Sequence, residues 1–261
     1  MTDDLVQHTT AGEVSILRLN QPETLNALSA PVIESLLHLI ERSAQESRAI
    51  VLSSHGRAFS SGANLSSDGA DLGDSERDLG AMLDSHYNPL IRTLRDLPIP
   101  FITAIRGPAA GVGCAIALMG DMIVAGKNAY FLQAFCNIGL IPDGGSAYIL
   151  SRAIGRVRAM EMMMLGERLP AQEAYQAGLI SRLVEDDKVD EQAIALAQQL
   201  ANGPTKALGM IRQIAWAALD STLDDQLDRE RALQKDAGRT EDFIEGVTAF
   251  LQKRKVEFKG K

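Results

Sequence analysis

Apolar positions along this chain first follow a period of two, then of three to four, and then alternate between the two. Val14-Ser15-Ile16-Leu17-Arg18-Leu19 alternates as a strand does, and Asn20-Gln21-Pro22-Glu23 breaks it. From Ser29 to about Ser47 the residues Val32, Ile33, Leu36, Leu37, Leu39 and Ile40 recur at helical spacing, with Ser29 placed as N-cap and Pro31 in the first turn. Ala49-Ile50-Val51-Leu52-Ser53 reads as a short buried strand, so strand, helix and strand predict a βαβ crossover and a parallel sheet. Phe101–Ile105 is a further buried strand, and it runs into Gly107-Pro108-Ala109-Ala110-Gly111-Val112-Gly113. The small apolar residues 114–120 that follow suit a helix that opens after a glycine turn and packs in the core. Met122–Ala125 and Ala129–Leu132 read as short strands around Gly126-Lys127-Asn128. Beyond Gly145 helical spacing dominates, over 146–153, 156–165, 171–177, 190–202, 204–219 and 222–236. The pattern predicts the α/β class, with one compact core and a helical C-terminal part.

Composition narrows the chemistry only slightly. The 261 residues are 46% hydrophobic and 23% charged, as in an ordinary globular protein. A formal charge of −8 argues against a nucleic-acid partner and leaves an anionic small ligand open, since a few local cations suffice for one. With only Cys114 and Cys136, no disulfide framework is expected; both thiols sit in apolar contexts and read as small buried hydrophobes. Met1-Thr2-Asp3-Asp4 lacks the apolar stretch of a signal peptide, and the uncharged run Gly107–Gly120 is too short to span a bilayer. The expectation is a cytoplasmic protein with no membrane partner. Residues 66–80, with Asp68, Asp71, Asp74, Glu76 and Asp78 among Ser and Gly, suit a mobile surface loop able to cover a ligand.

Three glycine-bearing turns carry the candidate chemistry: Phe59-Ser60-Ser61-Gly62-Ala63-Asn64-Leu65, Gly111-Val112-Gly113, and Pro142-Asp143-Gly144-Gly145. Glycine lets backbone and ligand approach closely, and a helix start aims unpaired N–H groups at developing negative charge. One donor from each of the first two turns makes an oxyanion hole. Asp143 admits two readings. It is a turn residue, since Pro-Asp-Gly is a common turn sequence, or a desolvated carboxylate with a pKa raised into the range of proton shuttling.

Competing constellations are weaker. There is no Walker A sequence, and Gly111-Val112-Gly113 lacks the third glycine of a dinucleotide fingerprint. His8, His38, His55 and His86 have no metal-ligand spacing, and Ser60 and Ser61 lack a nucleophile-elbow pattern. His86 and Tyr87, at the end of the acidic loop, read as packing or surface residues with ligand contact as the alternative. Met160, Met162, Met163 and Met164 read as core filling.

From about residue 5 to its last residue the chain resembles the crotonase (enoyl-CoA hydratase/isomerase) superfamily. The motifs that carry the likeness are Pro22–Leu28, Phe59–Leu65, Gly107–Ala115, Gly139–Gly145, and the C-terminal Phe250–Arg254 with Phe258–Lys261. The resemblance implies a spiral of ββα units over residues 1–200 and a C-terminal helical region, 201–261, that builds homotrimers or dimers of trimers. It implies an oxyanion hole from the N–H groups of Ala63 and Val112, holding an acyl-CoA thioester oxygen. It implies a coenzyme A path along Leu25, Asn26, Ala27, Ser61, Gly62, Leu65 and Gly111, with Phe258 and Lys261 reaching CoA from the tail, sometimes across a subunit boundary. Coenzyme A enters as the carrier of the substrate, and no metal or redox cofactor is implied.

Departures from the family pattern direct the choice of reaction. Two-glutamate hydratases of this family place carboxylates where this chain has Ala115 and Phe135, and neither can transfer a proton. Asp143 stands where several isomerases of the family carry their acid. Tyr87–Leu90, Ala109–Gly111, Ala134-Phe135, Gly139–Asp143 and Ala237–Arg239 are most similar to the isomerases that act on ring 1,2-epoxyphenylacetyl-CoA. The resemblance therefore implies an acyl-CoA isomerase with Asp143 as the proton shuttle. The alternatives are a hydratase with an acid from Asp68, Asp71, Asp74 or Glu76, and a non-catalytic acyl-CoA- or RNA-binding module.

Overall fold

The computed structural model describes residues 4–64, 76 and 78–261. The chain opens with an antiparallel hairpin of β1 (Val6–Ala11) and β2 (Val14–Leu19), then α1 (Ala30–Glu46) and β3 (Ala49–Ser54). A helical stretch follows as α2 (Gly80–Met82), a π-helical turn (Leu83–Tyr87) and α3 (Asn88–Asp96). Next come β4 (Phe101–Ile105), β5 (Pro108–Ala110), α4 (Val112–Leu118), β6 (Met122–Gly126), β7 (Tyr130–Leu132), α5 (Ser146–Ala153), α6 (Arg156–Leu165) and β8 (Arg168–Pro170). The chain continues through α7 (Ala171–Gln176), β9 (Arg182–Val184), α8 (Val189–Ala201), α9 (Thr205–Ala218), α10 (Leu223–Ala237) and α11 (Glu241–Gln252).

The larger sheet has the order β1-β2-β3-β4-β6-β9, parallel everywhere except at β1. Both faces of its central strands are covered. In β3, Ala49 and Val51 join the cluster packed by Val189, Ala193, Leu196 and Ala197 of α8. Ile50 and Leu52, on the other face, join Ile33, Leu36 and Ile40 of α1. That is why this strand reads as an apolar run rather than an alternating one.

The smaller sheet is β5-β7-β8, and two isolated parallel bridges, Ser60↔Ala109 and Leu28↔Ala63, prolong it beyond β5. The chain therefore repeats one unit: a strand in the large sheet, a short piece in the small layer, then a helix. β2, Leu28 and α1 form one such unit; β4, β5 and α4 another; β6, β7 and α5 a third. This is the expected spiral of ββα units. Its consequence for function is placement, because the small-layer pieces lie just past the carboxyl ends of the large-sheet strands. That is where open parallel sheets hold their ligands.

The C-terminal helices lock onto this core through one buried guanidinium. Arg212 of α9 is 5% exposed, donates to the Asp121 carboxylate at 2.6 Å, and also donates to the carbonyls of Leu94 and Leu97. Thr222 and Thr240 cap α10 and α11 through their hydroxyls, while Ser29, at the N-cap of α1, makes no side-chain cap bond. The expected methionine core is partly overturned: Met162 is buried, but Met160 and Met164 are 38% and 67% exposed on the outer face of α6. Residues 160–164 run more than once round the helix, so a single wall cannot bury all four methionines.

Candidate active site

Three corners meet past the strand ends. The first is Ser61-Gly62-Ala63, whose backbone amides are almost fully spent. Ser61 N–H donates to Leu25 O at 2.9 Å, Gly62 N–H to Ser60 Oγ at 3.1 Å, and Asn64 N–H to Leu28 O at 3.4 Å. The Ala63 N–H donates to nothing among the described residues. The second corner is Gly111-Val112 at the start of α4. Gly111 N–H donates to Leu132 O, and the N–H groups of Cys114 and Ala115 to Gly111 O, while neither the Val112 nor the Gly113 N–H has an acceptor among the described residues. A pair of unspent N–H groups from two abutting turns can hold a negative oxygen.

Glycine makes the abutment possible. Gly62 (φ +95°) and Gly111 (φ +53°) occupy backbone regions that other residues avoid. A Cβ on Gly62 would lie 2.9 Å from Ala110 O, and one on Gly111 would lie 3.7 Å from the Gly62 Cα and 3.7 Å from the Phe135 ring. Phe135, 9% exposed, therefore walls the second corner.

The third corner carries Asp143. Gly144 (φ +57°) packs directly on α4: a Cβ there would sit 2.7 Å from Ala115 Cβ and 3.5 Å from Val112 Cγ2. Asp143 is thereby set beside the Val112 turn. Its Oδ1 is buried without a hydrogen-bond partner, and its side chain does not cap α5. Desolvation pushes its carboxyl up to about 6, against the pull of a hydrogen bond to its own backbone. The two readings of Asp143 are not exclusive: its carbonyl accepts the Ser146 N–H at 3.0 Å and closes a turn over Gly144-Gly145, while its partly desolvated carboxyl carries the raised pKa that proton transfer needs.

The remaining expected residues divide. Leu25 and Asn26 adopt left-handed φ values of 56° and 55°, and Ser61 is exposed at the rim, its hydroxyl on Thr24 O. Ala27 is 7% exposed. Asn26 is buried and spent internally. Its Oδ1 accepts from Gln21 N–H, and its Nδ2 donates to His55 O and Ala58 O, both at 2.8 Å. The side chain of Asn26 thus braces the corner and is not available to a ligand.

Leu65, together with Asp68, Asp71 and Asp74 of the expected covering loop, lies outside the described residues. Glu76 and Asp78 belong to the described part, and the helical stretch begins at Gly80.

Phe258 and Lys261 do not join this site within the chain. Phe258 packs on Gly246 of α11, its carbonyl accepts from Arg48, and the Lys261 carbonyl accepts from Asp242 N–H. Arg48 immediately precedes β3, so the tail docks at the amino end of a strand whose carboxyl end leads to the site. Six residues of strand separate the two ends by roughly 20 Å.

The sequence left the partners of Ser60 and of the Tyr87 hydroxyl unread, while Tyr87, His86 and Cys114 take the packing and surface places expected of them. Ser60, 0% exposed, joins two of the corners. Tyr87, 2% exposed, closes the π-helical turn and donates from its hydroxyl to Leu28 O at 2.8 Å, behind Ala63. Its aromatic character in an acidic loop context was the available signal. His86 lies beside Ser85 Oγ and Glu34 at the surface. Cys114 is fully buried and its thiol is pushed up to about 12 by desolvation, which makes it inert at neutral pH. A groove of about 750 Å³ lies behind the Asp143 corner, lined by Gly145 with Ile91, Met119, Ile149 and Trp216, but not by Ala63, Val112 or Asp143. Among the described residues no cluster of three or more His, Cys, Asp or Glu could hold a metal ion, and no helix is long and apolar enough to cross a membrane.

Comparison with known proteins gives this arrangement its family. The model of the enoyl-CoA hydratase/isomerase family matches residues 9–261. The chain is 40% identical, over 263 residues and the whole of both chains, to the 1,2-epoxyphenylacetyl-CoA isomerase of Escherichia coli (strain K12). It is 35% identical to the 2,3-dehydroadipyl-CoA hydratase of the same organism, over 95% of this chain and 96% of the other. A crystal structure of an enoyl-CoA hydratase from Polaromonas sp. JS666 superposes with a TM-score of 0.90 at 30% identity, covering 97% of this chain and 99% of that one. The chain belongs to the enoyl-CoA hydratase/isomerase family of enzymes and has the crotonase fold. The relatives include isomerases and hydratases, so the family leaves the reaction to the residues of the site.

Proposed function

We propose that the protein is an acyl-CoA isomerase that moves a double bond, or opens a ring epoxide, through an enolate. The observation that carries this reading is the half-buried Asp143 carboxylate, its Oδ1 buried without a partner and its pKa pushed up to about 6 by desolvation, set beside the unspent N–H groups of Ala63 and Val112. In this reading the thioester oxygen of the acyl-CoA sits between the N–H groups of Ala63 and Val112. Asp143 takes a proton from the carbon next to the thioester, and the electron pair of the broken C–H bond delocalises into the carbonyl as a dienolate. The same carboxyl, whose proton exchanges with solvent while the dienolate is held, then protonates the γ carbon as the double bond shifts. Proton number and oxidation state are conserved, so one carboxylate suffices. Each N–H donor contributes a factor of roughly a hundred to a thousand in rate.

Water addition needs a group to activate water. At the two positions where hydratases of this family carry carboxylates, this chain has the fully buried Ala115 and the Phe135 ring. The 1,2-epoxyphenylacetyl-CoA isomerase relative supports the isomerase side, and the 2,3-dehydroadipyl-CoA hydratase relative marks the rival. Homotrimers or pairs of trimers, assembled through residues 201–261, belong to the same reading. In it, Phe258 and Lys261 reach the coenzyme A of a neighbouring copy.

The test is incubation of 2-enoyl- and 3-enoyl-CoA in heavy water with mass spectrometry of the products. Double-bond migration with deuterium exchange and no added water, abolished in Asp143→Asn, is the expected result. Hydration that survives Asp143→Asn would overturn the reading and send the search for an acid to Asp68, Asp71, Asp74 and Glu76.

A further inference from the structure

Ser60 lies at the junction of the two donor-bearing turns, and every part of it is engaged. Its backbone bridges to Ala109: Ser60 N–H donates to Pro108 O at 3.1 Å, and Ala110 N–H donates to Ser60 O at 2.9 Å. Its hydroxyl donates to Asn26 O at 2.8 Å and accepts the Gly62 N–H at 3.1 Å. A hydroxyl has one proton to give, and here it is given inward to Asn26. On its other side the Ser60 side chain abuts α4, since a Cβ on Gly113 would fall 2.5 Å from Oγ. One buried side chain thus touches the Leu25–Leu28 segment, the Gly62–Ala63 turn and the first turn of α4.

The bond from Gly62 has a chemical consequence. Without it the inward-facing Gly62 N–H would be a buried donor with no acceptor, and the peptide next to the Ala63 amide would lose its anchor. With it, the Ala63 N–H is the single unspent donor of residues 61–64 among the described residues. The backbone bridge meanwhile fixes that donor relative to β5, whose next turn carries the Val112 N–H.

We propose that Ser60 is a positioning residue for the oxyanion hole: its hydroxyl anchors the Gly62 amide, and its packing against Gly113 sets the spacing between the Ala63 and Val112 donors. This rests on the oxyanion-hole reading given above, but not on which reaction follows. A misplacement of about 1 Å in a reacting geometry costs on the order of a hundredfold.

The decisive measurement is the infrared stretch of a saturated acyl-CoA, carrying ¹³C at the thioester carbonyl, bound to the full-length protein. A saturated chain cannot isomerise, so this readout is independent of turnover. The unaltered protein and Asp143→Asn shift the band to lower frequency equally. In Ser60→Ala the shift is smaller, and kcat on an unsaturated acyl-CoA falls roughly ten- to a hundredfold while KM stays within about threefold. Ser60→Cys, which keeps a weak donor and acceptor, falls between the two. The proposal is overturned if Ser60→Ala keeps the full shift and kcat, or if its losses merely follow the folded fraction in a thermal melt. It is equally overturned if neither variant folds, since Ser60 is then a structural residue. Absence of a shift in the unaltered protein removes the oxyanion hole and this proposal together. Retained turnover in Asp143→Asn removes only the acid.

Discussion

Asp143 is tuned by exclusion. Nothing cationic contributes to its shift; burial alone raises the carboxyl to about 6. In the isomerase cycle the free enzyme must carry the ionised form, so kcat/KM should rise with a one-proton slope through about pH 6 and level off above it. A profile with no ionisation near 6 would remove Asp143 from the role of first base. The same shift has a stability consequence. The folded-state pKa lies above that of the unfolded chain, so the group favours the folded state below about pH 4, and that advantage is lost as pH rises through 6. Asp143→Asn should therefore be more stable than the parent at pH 7.5, by on the order of 1 kcal/mol once solvent screening is allowed for. The gap should close between pH 6 and 4, as read from urea unfolding at both ends of that window. At this scale the sequence was partly legible. Pro142-Asp143-Gly144-Gly145 exposed the candidate acid, but whether it is a turn residue or a shuttle depends on what Gly144 packs against. Asn26 was legible as a motif residue and misleading as a ligand contact, because its partners, His55 and Ala58, are about thirty residues away in sequence.

Among the elements, α4 is the one on which the site is assembled. Its seven residues are all buried, Val112 brings a donor, Gly113 admits Ser60, and Ala115 bears the backbone of Gly144. A single exchange toward the hydratase pattern should therefore fail. Ala115→Glu places a carboxylate at a fully buried position packed on the backbone of Gly144. It should cost about 3 kcal/mol or more through overpacking and a buried charge. The expected outcome is a melting temperature lower by several degrees and no water added to 2-enoyl-CoA, checked by circular dichroism and product mass. A stable variant that hydrates would show that the corner yields. Elements with a long period were legible here: the helices expected over 190–202, 204–219 and 222–236 fall at Val189–Ala201, Thr205–Ala218 and Leu223–Ala237. Of the four three-residue strands only β7 stood out, through Tyr130-Phe131-Leu132; β5, β8 and β9 are too short to show any period, and they exist because neighbouring strands supply their partners. β1 is an edge strand with polar residues on its open side, and the π-helical turn before α3 has no apolar pattern distinct from an α-helix. α11 is legible in its apolar period, with Phe243, Ile244, Val247, Phe250 and Leu251 on one stripe.

That stripe matters most for the whole molecule. The site lies past the carboxyl ends of the large sheet, whereas Phe258 and Lys261 are fastened near the amino end of β3. Asp242, 3% exposed, accepts the N–H groups of Lys259 and Gly260, and Arg48 donates to Thr205, Gly203 and Phe258. A tail so anchored lies away from the corners of its own chain, which supports the proposal that Phe258 and Lys261 reach the coenzyme A of another copy. The same helix supplies an adhesive surface: Phe250 and Leu251 are 82% and 73% exposed, and an apolar stripe this open on a single chain signals a covered face in the working assembly. Replacing both with Glu on the outer face leaves the α11 contacts of Asp242 and Gly246 with the tail untouched. The double variant should run in light scattering at the mass of one chain, while the parent runs at three or six. Its KM for enoyl-CoA should rise by roughly tenfold or more, because the neighbour's cations are lost, and its pH dependence through Asp143 should remain. A monomeric variant with unchanged KM would show that each chain binds its coenzyme A alone, and the tail would then have no part in the site.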